Sequence, residues 1–520
     1  MQSLSRLTLV LCVAWVLTLL YGEMVAYWIP LWTCSWPRPD GSLSSLSGNE
    51  VKVAVIADPQ IMDRTSLNLA PKSFALEAAQ FFTDLYMRRS FHLSILPFKP
   101  NLVIFLGDHF DGGPFLTDQE WSESLNRFKH IFDLEGHGRY SNIAVYYVCG
   151  NHDIGYSHFH MKNPEVIHRY EKEFGARNYR FSAGKVDFIV VDAQTLDGAK
   201  QGKEADLSWQ FIKNISSDVT SSPRVLLTHI PLYRLDDTPC GIFRSSSIIN
   251  QRVTFAGVNQ GMTYQNYLTK ESSDHLLNLI KPVLVLSGHD HDHCTVTHST
   301  QFGPIVEHTL GTISWQQGNL YPSFMLLTVS PSNSMSSAIA VSTRLCFLPR
   351  QTHIYIWYLC QLVVTLLLML LWPANAFAFF GPFVAFFDSL RSNLIKAKEK
   401  VEEDDCEYEM IWDSEGSMHL IKKNKTVPLA SSDVGSSTRG NAVLRTSAKK
   451  QPTREQDPSV FLEMNIDMNS DKTGRVQRPS RSKVMRLILR LVRVFRLIVL
   501  VAAVNVPLYM MLLFKDWVGR

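Results

Sequence analysis

Five short stretches carry side chains that could do chemistry together: Asp58-Pro-Gln60, Gly107-Asp108-His-Phe-Asp111, Gly150-Asn151-His152-Asp153, Thr228-His229 and Gly288-His289-Asp-His291. Carboxylates, imidazoles and amide oxygens are ligands for hard or borderline divalent metals. One carboxylate placed centrally can bridge two ions about 3.5–4 Å apart, the geometry of two-metal hydrolysis. Glycines beside the ligands permit sharp turns. A lone Gly-Asn-His is more often a turn than a site, but all five stretches in this order read as one metal centre.

Ligands of this kind need rigid supports, and apolar runs precede nearly all of them. Val51–Ile56 stops at Asp58, residues 101–106 stop at Gly107-Asp108, and residues 143–148 stop at Gly150-Asn151. Further runs cover 188–191, 224–228 and 283–286, the last two leading to His229 and His289. Helical patterns at 72–89 and 117–132 separate the early runs. Near-continuous apolar strands alternating with helices predict an α/β domain with its sheet covered on both faces and its ligands at the strands' carboxyl ends. Beyond residue 305 the pattern turns to strands without helices, including 324–329 and 338–342.

In this order the motifs resemble the calcineurin-like metallophosphoesterase superfamily, whose pattern is Asp-x-His, Gly-Asp-x-x-Asp/Asn, Gly-Asn-His-Asp/Glu, His and Gly-His-x-His. The likeness covers about residues 51–315. It implies a β-sandwich flanked by helices, with βαβαβ ligand-bearing strands, and two divalent metal ions. By that resemblance Asp58, Gln60, Asp108 and His291 hold one ion; Asp108, Asn151, His229 and His289 hold the other, with Asp108 as the bridge. A water activated by both ions would attack phosphorus, His152 would serve the leaving group as general acid or transition-state donor, and Asp111 or Asp153 would orient it. Gln60 departs from the family's His. An amide oxygen is a harder, weaker ligand than imidazole and favours Mn2+ or Mg2+ over Zn2+. His109, beside Asp108, either reaches a metal or phosphate or points away.

The wider context includes the Asp-Pro-Gln variant, Gly150 to Gly155, Pro-Leu-Tyr-Arg after His229, Ser314-Trp315 and Pro322-Ser323-Phe324. Cys34 to Pro37 and Cys346 to Arg350 complete it. It is similar to the branch that holds the yeast cell-division-control metallophosphoesterase and the animal post-GPI-attachment metallophosphoesterase. That similarity implies a Mn2+-dependent phosphodiesterase of the endoplasmic reticulum and Golgi. Its action would be to remove ethanolamine phosphate from the GPI-anchor glycan, assisting transport of GPI-anchored proteins. The partners implied are that glycolipid or protein substrate and the bilayer.

The 520 residues are 46% hydrophobic and 19% charged with a net charge of +3, so the overall balance does not point to nucleic acid. The apolar residues are concentrated in three stretches. Leu7 to Trp28 has the length of a span and reads as a signal anchor, with a cleaved signal peptide as the other possibility. Residues 354–387 are too long for one simple span; they fit one span plus an interfacial segment, or a hairpin. Leu497 to Phe514 is interrupted by Asn505 and Pro507. Basic clusters at Arg391–Lys400 and Arg478–Arg496 bound the 388–496 segment and place it in the cytosol, which leaves the catalytic domain lumenal.

These features divide the chain into an anchor and stem (1–35), a lumenal domain (36–350), a membrane segment (351–387), a cytosolic segment (388–483) and a C-terminal part (484–520). Residues 388–483 are too polar to bury a core and are expected to be disordered. Residues 484–495 read either as a basic amphipathic helix on the membrane surface or as the cytosolic end of the last span. Cys34 and Cys346 flank the domain next to its two membrane boundaries, either as a bridge or as free thiols. Asn214-Ile-Ser216 is a lumenal glycosylation sequon, whereas Asn424-Lys-Thr426 lies on the cytosolic side.

Two other classes compete with the glycolipid phosphodiesterase. One is a phosphomonoesterase, phosphoprotein phosphatase or nucleotide phosphodiesterase. The other is a membrane scaffold or metal-handling protein whose site is weakened at Gln60.

Overall fold

The computed structural model describes residues 2–38, 50–67, 69–133, 143–160, 162–197, 203–218, 222–257, 261–330, 341–371, 408–412, 418–422 and 483–518. In chain order the strands are β1 (Val51–Ile56), β2 (Leu102–Phe105), β3 (Ala144–Tyr147), β4 (Tyr179–Ala183), β5 (Val186–Val190), β6 (Arg224–Leu227) and β7 (Val253–Phe255). They continue with β8 (Met262–Gln265), β9 (Leu284–Ser287), β10 (Cys294–Thr300), β11 (Gly303–Thr309), β12 (Ser323–Val329) and β13 (Val341–Phe347). One sheet has the order β13-β12-β1-β2-β3, a second has β10-β11-β9-β6-β5-β4, and β7 pairs with β8. The ligand-bearing strands β1, β2 and β3 are parallel, with Val53 opposite Leu102 and Leu102 opposite Ala144.

The two-residue alternation of a strand explains the layering. Val53 and Val55 face inward and meet Phe188, Val225 and Leu286 of the second sheet. Their neighbours Ala54 and Ile56 face outward, onto a layer that holds Tyr86 of helix Phe74–Arg89 and Phe128 of helix Asp118–Phe132. Outside the second sheet, Ile189 and Leu226 pack with Ile212 of helix Lys203–Ser217 and Leu276 of helix Lys270–Ile280. The result is the expected β-sandwich with helices on both outer faces.

Among the described residues, three helices are long and apolar enough to cross a membrane. The first runs from Gln2 to Thr33 through a π-helical turn at Tyr21–Val25. The second is Gln351–Leu371. The third is a single helix, Lys483–Trp517, which includes the 484–495 segment and continues through Asn505 and Pro507. Asn505 does not interrupt it, because its Nδ2 bonds the Val501 carbonyl one turn back at 2.9 Å. Proline is tolerated in membrane-type helices where neighbouring helices, polar side chains or ordered water re-satisfy the carbonyl it frees. The first and second helices are joined by Trp15 Nε1 to Thr365 Oγ1 (3.1 Å) and Thr18 Oγ1 to Gln361 Oε1 (2.7 Å).

One buried ion pair, Arg89 of the catalytic domain with Glu23, gathers all three helices. Arg89 is almost completely buried and pairs with Glu23 in the π-helical turn of the first helix. It also bonds Asp516 Oδ2 at 3.0 Å and the Leu512 carbonyl at 2.7 Å in the third. Tyr358 of the second helix donates to Glu23 Oε1 at 2.8 Å. Trp517 stacks edge-on against Phe81 at 5.1 Å.

A disulfide joins Cys34 to Cys346, uniting the ends of the domain, and a second, Cys240–Cys294, lies within it. Leu371–Leu491 form a separate unit. There, Tyr408–Trp412 and Met418–Lys422 pair antiparallel within the stretch expected to be disordered. The other residues of 388–482, including Asn424 and the 391–400 basic cluster, lie outside the described residues, as do 372–387.

Candidate metal centre

The loops after β1 and β2 run side by side. Gln60 N donates to the Asp108 carbonyl and Ile61 N to the His109 carbonyl, each at 2.9 Å. This pairing puts Asp58, Gln60 and Asp108 on one edge of the sandwich. The loop after β3 brings Asn151 and His152, the end of β6 leads to His229, and the turn after β9 brings His289 and His291. Five of the seven expected ligands sit at positive φ: Asp58 (49°), Gln60 (40°), Asp108 (51°), His289 (72°) and His291 (59°). Such backbone costs roughly 1–3 kcal/mol per residue and is retained where a site demands it. Gly107, at φ 93°, is required twice over, because a Cβ there would lie 2.4 Å from His229 Nδ1.

The side chains converge in two groups that share Asp108. Ligand atoms of Asp108, His229 and His289 lie within 4.8 Å of one another, and so do those of Asp58, Asp108 and His291. His229 Nδ1 donates to the Leu106 carbonyl at 2.7 Å, which leaves Nε2 with its lone pair 3.2 Å from Asp108 Oδ1 and 3.1 Å from Asn151 Oδ1. Three electron-rich atoms meeting in this way call for a cation between them, and the backbone bond to the far ring nitrogen is the usual support of a metal-binding histidine. His289 follows the same logic with its ring reversed: Nε2 donates to the Gln265 carbonyl at 3.0 Å, and Nδ1 is buried without a partner.

Gln60 Nε2 lies 3.1 Å from Asp108 Oδ2 and 3.0 Å from His291 Nε2, while its buried Oε1 has no donor. A half-turn of the amide aims that oxygen at the same point. The donor set therefore fits two divalent ions.

The electrostatics agree. Burial pushes the Asp58 carboxyl up to about 8. For His229, burial opposes the charge, but the Asp108 carboxylate outweighs it and holds the imidazole at about 9. Burial lowers His291 to about 4 and holds His289 well below 6.5. The centre thus demands positive charge at some points and neutral imidazole at others, as metal ligation does.

His152 stands beside this centre with its ring half exposed to a cleft. Its Nδ1 donates to the Asp111 carbonyl and lies 3.7 Å from Asp111 Oδ1. Burial opposes its charge, yet Asp108 and the Asp111 carbonyl raise its pKa above 6.5. Asp153, expected as an alternative orienting group, is corrected to a structural one. Its oxygens accept from His109 N (2.8 Å), His109 Nδ1 (2.8 Å) and Gly150 N (2.9 Å), so they hold the two loops together. His109 accordingly points away from the metals and stacks on Phe174 at 4.7 Å.

The cleft, of ≈ 580 Å³, is walled by Phe115, Phe159, Tyr264 and Tyr267. The sequence reading missed this wall and the clamp behind it. Asp290, between the two ligand histidines, is held by Arg234 at 2.7 Å and by both ends of Arg244 at 2.8 Å. The one available signal was the pairing of an extra cysteine in each loop, Cys240 and Cys294, which ties this wall to the His289–His291 turn.

Comparison with known proteins agrees with the geometry. Residues 51–293 match the family model for the calcineurin-like phosphoesterase. Cell division control protein 1 of Saccharomyces cerevisiae is 28% identical over 66% of this chain and 70% of its own length. Metallophosphoesterase 1 of Gallus gallus is 28% identical over 69% and 90%, and that of Rattus norvegicus is 29% identical over 70% and 89%. A domain with this match, whose loops bring two ligand groups together on Asp108, makes the chain a metal-dependent hydrolase of phosphoric esters whose residues 51–293 are similar to the calcineurin-like phosphoesterase.

Proposed function

We propose that the chain is a dinuclear-metal phosphodiesterase of the secretory pathway that removes ethanolamine phosphate from the GPI-anchor glycan. The observation that carries the dinuclear reading is the single carboxylate, Asp108, common to both ligand groups. Asp58, Gln60, Asp108 and His291 hold one ion; Asp108, Asn151, His229 and His289 hold the other. When bound, such a pair supplies Lewis-acid polarisation of the phosphoryl group and a nucleophile from water at neutral pH. The Asp111 carbonyl accepts a hydrogen bond from His152 Nδ1, and the raised pKa favours the imidazolium, whose second proton, on Nε2, passes to the leaving oxygen. The amide at Gln60 favours Mn2+.

The substrate follows from the resemblance to the post-GPI-attachment branch. A cleft set on a domain fastened to three apolar helices supports a glycolipid of the same membrane. The two disulfides support a lumenal domain, since such bridges persist in oxidising compartments. The third helix supports the same topology. Its C-terminal end meets Arg89 of the domain, while Arg493 and Arg496 lie several turns earlier in the same helix, as a cytosolic start of the span requires.

The test uses the full chain in lipid nanodiscs with Mn2+. Release of ethanolamine phosphate from a GPI substrate, lost in Asp108→Asn, is the expected result. Turnover of p-nitrophenyl phosphate alone would favour a phosphomonoesterase or phosphoprotein phosphatase. Metal binding with no hydrolysis of either would favour the scaffold reading.

A further inference from the structure

A second cavity, of ≈ 640 Å³, lies between the catalytic domain and two of the apolar helices. One wall is the domain, through Leu67, Phe82 and Trp315; the others are Tyr355 of the second helix and Tyr509 of the third. The aromatic rings form a continuous lining, with Tyr355 5.6 Å from Trp315 and 6.4 Å from Phe82.

Three features of the cavity point to the same occupant. First, both helices that wall it are of membrane-crossing length, and Tyr355 lies near the domain end of its helix, the level at which such a helix would enter a bilayer. Tyrosines concentrate at that level, where an apolar ring meets a polar surface. Second, the rim is apolar and uncovered. Leu67 is 40% exposed and Leu320 50%. A contiguous apolar rim is costly in water and favourable against acyl chains. Third, the inner end is not closed off from the chemistry. Gln316, which lines the cavity, donates its Nε2 to the Gln60 carbonyl at 3.3 Å.

We propose that this groove is a binding site for one bilayer glycerophospholipid, whose acyl chains enter sideways between the second and third apolar helices. The site is separate from the catalytic cleft and stands whatever ester the metal centre cleaves. Through Gln316 it lies one hydrogen bond from a metal-ligand backbone.

The experiment uses the full chain in phosphatidylcholine nanodiscs that contain a phosphatidylcholine with a diazirine in one acyl chain. After irradiation, peptides are mapped by mass spectrometry. Labelling should concentrate on Phe82, Trp315 and Tyr509. Ala79→Trp, which fills the groove, should lower it about tenfold, the factor of one weak binding step. Labelling of Leu359 and Leu362, exposed on the second helix, should stay unchanged and serves as the internal reference. Leu67→Glu, at an exposed rim position, should act in the same direction without demanding any repacking. Melting temperature and p-nitrophenyl phosphate turnover check that both variants are folded. Labelling spread evenly over the exposed helix faces and unchanged in both folded variants would overturn the proposal.

Discussion

A Cβ on residue 150 would lie 2.1 Å from Asp108 Oδ1 and 2.3 Å from the Asp108 nitrogen. Gly150 is therefore glycine because the proposed bridging carboxylate occupies the space a side chain would need. This makes one prediction in two parts. Asp108→Asn should lower hydrolysis by at least about a hundredfold while the melting temperature stays close to the parent's, since both ion sites lose a charged ligand. Gly150→Ala should lower activity by displacing the same carboxylate. Near-parental turnover in folded Asp108→Asn would end the two-metal assignment.

Gln60→His should shift metal preference from Mn2+ towards Zn2+, because imidazole is the better ligand for the softer ion. Metal content of both proteins after equilibration with equal amounts of each ion is the measurement. An unchanged Zn-to-Mn ratio would argue that Gln60 is not a ligand.

Arg89→Met should destabilise the protein by about 3–5 kcal/mol, the usual cost of leaving a buried partner charge unpaired. Combining it with Glu23→Gln should recover part of the loss, since the uncompensated carboxylate is then gone. Thermal melts of the two single variants and the double variant give the coupling directly. A purely additive double variant would mean that the pair contributes nothing as a pair.

Acid should weaken the fold through buried histidines remote from the metal centre. His308 sits between Thr295 Oγ1 at 3.0 Å and Thr343 Oγ1 at 3.2 Å, and burial pushes it from 6.5 to about 4. Above its unfolded value both states are neutral there and its contribution is complete. As pH falls from 6.5 towards 4 only the unfolded chain takes up the proton, so stability drops by up to about 1.4 kcal/mol per pH unit. His308→Gln should flatten the fall of melting temperature between pH 7 and pH 4. An identical pH profile in parent and variant would show that His308 carries no linkage.

Asn214 lies exposed on helix Lys203–Ser217 and should carry glycan, whereas Asn424 should not. Protease added to sealed microsomes should cut within 388–483 and spare 51–342. Glycan on Asn424, or cleavage of the catalytic domain from outside, would reverse the topology and remove the GPI substrate from reach, leaving the phosphoesterase chemistry intact.

What the sequence disclosed depended on how local each feature is. The β1 and β2 runs were legible because strands buried on both faces are continuously apolar, and β3, though partly exposed at the sheet edge, is apolar too; the ligands follow each within a few residues. β10 and β11 were not, because Cys294–Thr300 mixes Thr, His and Ser at a partly exposed edge. The aromatic cleft wall is built from residues on either side of the metal loops, and no single window contains it. Glu23 was hidden inside an apolar run whose partner, Arg89, is 66 residues away. His109 and Asp153 were ambiguous for a different reason. Residue type suggested chemistry, and only packing showed that the pair is spent on holding two loops together.

The third helix also gives the molecule an order of assembly. Arg89 and Glu23 are made early, but Asp516 and Leu512 emerge long after β13, on the order of ten seconds later at ordinary rates of synthesis. Until then the nascent domain presents a charged, half-partnered patch at the membrane, and its lipid-facing groove lacks the Tyr509 wall. A chain terminated early would keep that patch open.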